Sequence, residues 1–430
     1  MCLESVPPPS SRLTRRGVLA GAAALAGTAG VLAGTAPEAA ARPAGRPAGR
    51  PEADAAGDLV IEGGTLLDPA TGEVTEDAVV VIRGGTVRRA GRRGKVAVPA
   101  GLPRLDAHGR WVLPGLVDAH IHLSTVTEAR AALTRGVTSA RSGSTTFFQD
   151  IAVRELARRL PTLAPRLTAA GVFVTPDLGD TVLADPELAP LSALKNGVRS
   201  AEALRRVVEV NLARGGDVIK TRVNERAGLP DQDPLTQVYS HEQLAEVVAA
   251  ARRGGKGVLC HSYSARGCDD AVRAGIRSLE HGVFVAERTL HDMARRGTYF
   301  TPTLTAIAGM VGDPNPVLDE RGRTFLPVLK EAVRTAHALG VPLAAGTDSS
   351  GGVVKPVGGE VVLMHSAGLP PLDAIRTATT NAARLLGLED AVGRLAPHFA
   401  GDAVLLAGDP LADPSVLTRP THVVRAGRLV

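Results

Sequence analysis

A chain of 430 residues, 44% hydrophobic, can bury a large core and divide into one big unit and a smaller one, which excludes a disordered chain. Aromatic residues make up only 3%, so the core must rest on Ala, Val and Leu, and no basic run with interleaved aromatics marks a nucleic-acid surface. The formal charge of +5 is local: residues 1–50 hold Arg12, Arg15, Arg16, Arg42, Arg46 and Arg50 against Glu4 and Glu38, so the remainder is nearly neutral.

Those arginines open a segment with its own logic. SRLTRRGVLAGAAALAGTAGVLAGTAPEAAA has a charged start, a weakly hydrophobic Ala/Gly stretch from Gly17 to Ala36, and small residues at Ala39-Ala40-Ala41 suited to cleavage. Thr14-Arg15-Arg16-Gly17-Val18-Leu19 resembles the bacterial twin-arginine export signal; a general export signal and an uncleaved anchor are the alternatives. Residues 1–41 are thus expected to direct export to the periplasm or the extracellular space, and RPAGRPAGRP places a flexible linker at 42–57. No other segment is long and apolar enough to span a bilayer, so no stable membrane insertion is expected once the signal is removed. Cys2 falls in the signal, and Cys260 and Cys268 read as small buried hydrophobes, with a disulfide between them left open.

From residue 58 the pattern DLVIEGGTLLDPATGEVTEDAVVVIRGGTVRRAG gives short strands broken by Gly-Gly and Pro-Ala-Thr-Gly turns, a small all-β unit over 58–114. Then apolar runs alternate with helical spacing: GLVDAHIHL, GVTSARS, LTAAGVFVT, DVIKTRV, GVLCHSYS, SLEHGVF, YFTPTL and VPLAAGTDS are eight strand candidates. AEALRRVVEVNLARGG and HEQLAEVVAAARRGG carry helix periodicity with a closing glycine. Eight strand–helix alternations predict a (β/α)8 TIM barrel over 115–390, and no GxGxxG favours a dinucleotide fold. The segment 391–430, with DAVLLAGDP and HVVRAGRLV, is again β-like and is expected to complete a β-sandwich with 58–114.

Active sites of such barrels lie at the carboxyl ends of the strands. There the candidates place His120 and His122, Lys220, His261, His281 and Asp348, all nitrogen or oxygen donors. Residues two apart on a strand share a face, so His120 and His122 form a natural metal-binding pair. Tyr263, two beyond His261, is a candidate donor to a developing oxyanion. Arg141 and Arg222 are candidates for pairing with a substrate carboxylate, with a rim salt bridge as the alternative for each.

With PGLVDAHIHL, GVTSARS, VIKTRV, GVLCHSYS, AGIRSLEHG, PTL, AAGTDS and TTNAARLLGL in that order, the chain resembles the amidohydrolase superfamily, close to imidazolonepropionase-like and Xaa-Pro dipeptidase-like members. The resemblance implies two divalent ions, usually Zn2+. His120, His122 and Asp348 would hold the more buried ion, His261 and His281 the more exposed one, and Lys220 would bridge them as a carboxylated lysine formed with CO2. A plain Lys220 ammonium with a single ion is the alternative. Deaminase relatives place a glutamate three residues after the strand-five histidine, and Ser264 stands there.

The implied reaction is hydrolysis of an amide-type C–N bond by water activated between two ions, with Asp348 moving the proton. A dipeptide or N-acyl amino acid is the leading small-molecule substrate class. A cyclic-amide or lactone hydrolase and a non-catalytic exported metal-binding protein are the alternatives; the sequence leaves a homo-oligomer open. Two departures stand out. Ala140-Arg141-Ser142 replaces the Val-Arg-Asp of many relatives, and Phe399-Ala400-Gly401-Asp402 replaces a Pro-Gly-Lys-Ala-Asp form, a change expected to touch little but a turn.

Overall fold

The computed structural model describes residues 56–430, so the expected export signal, Cys2 and most of the linker lie outside the described residues. The all-β unit forms as five strands, β1 Leu59–Leu67, β2 Val74–Arg83, β3 Thr86–Arg92, β4 Arg104–Asp106 and β5 Trp111–Pro114. At the other end of the chain come β13 Ala403–Leu406, β14 His422–Arg425 and β15 Arg428–Leu429. Both sets join one sheet, because β13 runs antiparallel to β5 with Val404 opposite Leu113. One face packs Leu59, Ile61, Val80, Ile82, Val112 and Leu405 into a core of its own.

Between these segments lie seven parallel strands: β6 Leu116–Ile121, β7 Val137–Ser142, β8 Arg166–Thr168, β9 Ile219–Arg222, β10 Val258–Ser262, β11 Ser278–His281 and β12 Tyr299–Thr301. They pair as β6-β7-β8 and β9-β10-β11-β12, giving a mixed α/β fold. Isolated parallel bridges extend this pairing: Val174 to Thr221, Phe300 to Leu343 and Ile121 to Ser349. The eighth strand candidate, 341–349, therefore pairs only at single points. Gly346 shows why it runs so close: a Cβ there would lie 2.7 Å from the Cβ of His120.

The helices begin where the sequence supplies caps. Ser200 caps Ala201–Ala213, and Ser240 with Gln243 forms a capping box ahead of His241–Arg253, satisfying amides that the first turn leaves without partners. Their apolar faces cover the parallel strands with Leu204, Val207, Val208, Leu244, Val247 and Val248. Among the described residues no helix is long and apolar enough to cross a membrane. Cys260 and Cys268 are buried free thiols, and burial pushes the Cys260 thiol up to about 12.

The Phe399–Asp402 segment ends in the aspartate that it shares with the Pro-Gly-Lys-Ala-Asp form. Asp402 is buried, accepts from Arg166 Nη1 at 3.0 Å and Arg425 Nη1 at 3.2 Å, and takes the Ala426 amide at 2.7 Å. It ties β14 and the start of β13 to β8, so the terminal sheet is fastened to the parallel strands by a buried ionic cluster.

Candidate metal centre

The carboxyl ends of the parallel strands bring His120, His122, Lys220, His261, His281 and Asp348 into one cluster. Ligand atoms of His120, His122 and Asp348 all lie within 4.8 Å of one another. Asp348 Oδ1 is 3.5 Å from His120 Nε2 and 3.1 Å from His122 Nε2. Lys220 Nζ is 3.0 Å from the same His120 Nε2. The His281 ring stands 5.3 Å from that of His120 and 4.5 Å from that of His261, centroid to centroid.

Hydrogen bonds behind the rings fix which nitrogen carries the proton. His120 Nδ1 donates to Glu280 Oε2 at 2.6 Å, and His122 Nδ1 donates to the Ser144 carbonyl at 2.7 Å. A carbonyl only accepts, so His122 Nδ1 carries a proton, which in the neutral ring puts the lone pair on Nε2. Thr303 spends its own hydroxyl proton on the Pro302 carbonyl at 2.7 Å and therefore accepts from His281 Nδ1 at 2.7 Å. His261 is reversed: its Nε2 donates to the Glu225 carbonyl at 3.0 Å, so its lone pair is on Nδ1.

This donor set fits a cation. The lone pair on His122 Nε2 faces a carboxylate oxygen at 3.1 Å, an arrangement that repels unless a positive charge is shared between the two. Space before the rings is kept open by Gly143, where a Cβ would fall 2.6 Å from His122 Nε2 and 2.7 Å from His120 Nε2. Any other residue at 143 would fill the volume that an ion needs. All the facing atoms are nitrogen or oxygen, and imidazole with carboxylate suits zinc and its neighbours.

Beneath the rings lies an anionic support that the strand pattern did not reveal. Burial alone would drive the Glu280 carboxyl up, but Arg141 beside it and the bond from His120 more than offset that and hold it at about 2. Arg141 Nη2 lies 2.9 Å from Glu280 Oε1, Nη1 donates to Ser278 at 2.8 Å, and Nε donates to the Ala119 carbonyl at 2.6 Å. The structure thus places Arg141, only 2% exposed, under the histidines instead of facing a substrate. Asp118 gives a second support: it accepts the His120 amide, the Thr347 amide and the Thr347 hydroxyl, and burial raises its carboxyl to about 6.

The other candidates fall on the His261 side. Tyr263 is buried, with its ring stacked on His281 at 5.2 Å and edge-on to His261 at 4.9 Å. Arg222 donates to Thr175 at 2.9 Å and pairs with Glu225, and it lines a cavity of about 660 Å³ together with Lys195 and Arg199. Lys355, which the sequence reading missed, lies in the loop after Asp348 and donates to the Thr305 carbonyl at 2.9 Å. Burial lowers its pKa, against the pull of Asp348 and Glu360.

Comparisons with known proteins give the family. The model described as "Amidohydrolase family" matches residues 111–430. Ochratoxinase of Aspergillus niger is 27% identical over 413 residues, covering 85% of each chain, and its crystal structure superposes with a TM-score of 0.72 at 22% identity, over 87% of this chain and 95% of that one. A crystal structure of a Xaa-Pro dipeptidase with bound methionine in the active site gives a TM-score of 0.77 at 25% identity, over 87% of this chain and 99% of that one. Adenine deaminase of Mesorhizobium japonicum is 27% identical over 392 residues, covering 86% of this chain and 58% of the relative. Since the family match takes in most of the chain, from β5 to the last residue, this protein belongs to the amidohydrolase family and is a hydrolase of carbon–nitrogen bonds acting on small molecules.

Proposed function

We propose that this protein hydrolyses the amide bond of a dipeptide or N-acyl amino acid at a centre of two divalent ions, zinc in the first instance. The observation that carries the reading is the facing of His122 Nε2 and Asp348 Oδ1 at 3.1 Å, with Lys220 Nζ 3.0 Å from His120 Nε2. His120, His122 and Asp348 would hold one ion through Nε2, Nε2 and Oδ1. His261 and His281 would hold the other through Nδ1 and Nε2. Lys220, carboxylated by CO2 on Nζ, would present one oxygen to each. When bound, the ions supply a water of lowered pKa and a Lewis acid for the scissile carbonyl.

The chain's own part follows from position. The Asp348 carboxylate, through the oxygen not given to the ion, takes the proton of the attacking water and returns it to the leaving nitrogen. Tyr263, packed on His281, donates its hydroxyl to the developing oxyanion. Arg222, with Lys195 and Arg199 in the cavity beside Glu225, receives the substrate carboxylate. The likeness to a Xaa-Pro dipeptidase supports the dipeptide class. With Ser264, which caps helix Ala265–Ala274 by accepting the Gly267 amide, standing where deaminase relatives place a glutamate, the deaminase pattern has less support.

The scaffold of this reading is a closed (β/α)8 barrel whose eighth strand is 341–349, supported by the bridges at Leu343 and Ser349, with the terminal segments as a β-sandwich. Export by the twin-arginine route belongs to the same proposal. Changing Arg15 and Arg16 to Lys is expected to hold the protein in the cytoplasm; unchanged secretion refutes that route.

Screening zinc-loaded protein against dipeptides and N-acyl amino acids tests the activity, and elemental analysis is expected to return about two ions per chain. Lys220→Ala is expected to lose the His261-side ion first and to fall in kcat/KM by on the order of 10²–10³. Full activity with one ion per chain overturns the two-ion centre.

A further inference from the structure

We propose that Glu360 is a positioning residue for the His261/His281 half of the centre, acting through the Thr303 turn; the role rests on the two-ion reading above. Glu360 lies in helix Val357–Ser366 and is buried. Its Oε1 accepts the Leu304 amide at 2.7 Å, and its Oε2 accepts the Thr305 amide at 2.7 Å and the Thr305 hydroxyl. From the same segment, Lys355 Nζ grips the other side of that residue at the Thr305 carbonyl, 2.9 Å away.

What the clamp holds in place is Thr303. This β-branched residue has φ 52° and ψ 45°, a left-handed conformation that such residues adopt only where their surroundings fix it. In that conformation its Oγ1 donates to the Pro302 carbonyl and accepts His281 Nδ1–H, both at 2.7 Å. His281 is itself at φ 67°. Two residues in the left-handed region, joined by one hydrogen bond, set the direction of His281 Nε2. The carboxylate that secures them comes from the segment that follows Asp348, so Glu360 links the Asp348 half of the centre to the His281 half.

A cap on the short helix Leu304–Ala308 would by itself stabilise the fold and leave metal affinity unchanged. The positioning role predicts a different readout. Glu360→Gln turns an NH2 group toward an amide that needs an acceptor, and Thr303→Val removes the acceptor for His281 at nearly constant shape. In a competitive chelator titration of the zinc-loaded protein, each is expected to weaken the looser of two steps by about 10–100-fold and to leave the tighter step in place. Thr303→Ser, which keeps the hydroxyl, is expected to recover the looser step. If both variants melt earlier yet release zinc as the wild type does, the positioning role is overturned and the two-ion reading stands. A single step in the wild type overturns the two-ion reading and this role with it. Should Glu360→Gln fail to fold, Glu360→Asp, which keeps the charge but draws the carboxylate back from the Leu304 and Thr305 amides, takes its place beside Thr303→Val, with the same outcomes deciding.

Discussion

Two buried arginine–carboxylate clusters among the described residues differ in what the carboxylate touches next. Glu280 has Arg141 on one side and His120 Nδ1 on the other. Asp402 has Arg166 and Arg425, and its remaining acceptor capacity is spent on the Ala426 amide. The ingredients are nearly the same. In the first, however, the charge ends on a ring whose far nitrogen faces Asp348 and Lys220; in the second it ends on backbone. A buried ion pair therefore tunes chemistry only where a titratable or metal-facing group completes it, and elsewhere it serves as a fastening.

The largest effect is expected at the fastening. Asp402→Ala leaves Arg166 and Arg425 buried without their shared anion, which costs about 3–5 kcal/mol. Urea unfolding reads this as a drop in midpoint, while the zinc affinity of the folded protein is expected to stay at the wild-type value. A loss of affinity equal to that at Glu280 would erase the distinction between the clusters.

Glu280→Gln sharpens the same contrast from the other side. The amide keeps the shape but removes the charge beside Arg141 and weakens the acceptor for His120, so metal affinity is expected to fall by about 10–100-fold. Isothermal titration with zinc measures it. Glutamine at 280 with undiminished affinity would show that His120 needs no anion behind it.

The candidate ligands were legible because they are polar residues ending apolar runs: His120 and His122 with period two, then Lys220, His261, His281 and Asp348 in chain order. Their supports were not. In a regular strand Glu280 and His281 point to opposite faces, yet both serve this site because His281 leaves strand geometry at φ 67°. Asp348 does the same at φ 49°, which also explains why 341–349 pairs only at single bridges. An acid inside the apolar run SLEHG was the available signal for Glu280. Arg141 was misdirected for the same reason, since its partner had not been recognised. Asp402 looked like a turn residue because its partners, 236 positions back at Arg166 and 23 ahead at Arg425, share no local pattern.

The smaller effects concern how each region is held. Ser240→Ala removes the cap of His241–Arg253 and is expected to cost about 1 kcal/mol in the same urea assay, with zinc affinity unaltered. It serves as a measure of ordinary destabilisation, against which a selective change at Glu280 stands out.

The last prediction uses acid to weaken the fastening gradually. Burial pushes the Asp402 carboxyl up, but Arg425 and Arg166 outweigh it, so its folded pKa lies below the ordinary 3.8. A carboxylate lowered on folding contributes stability that is fully present above its unfolded pKa and is lost as pH falls through the folded one. The contribution of Asp402 is thus complete at pH 7, begins to fade just below 3.8 and declines further in more acidic solution. Asp402→Asn has no such proton to bind. Urea midpoints of wild type and Asp402→Asn, taken at pH 7, 4 and 3 (round settings on about the ordinary carboxylate range), are expected to differ most at the highest pH and to converge toward the lowest. A gap that stays constant over that interval would mean that the arginines do not hold Asp402 in its charged form, and that the seam between the terminal sheet and the parallel strands is secured by shape alone.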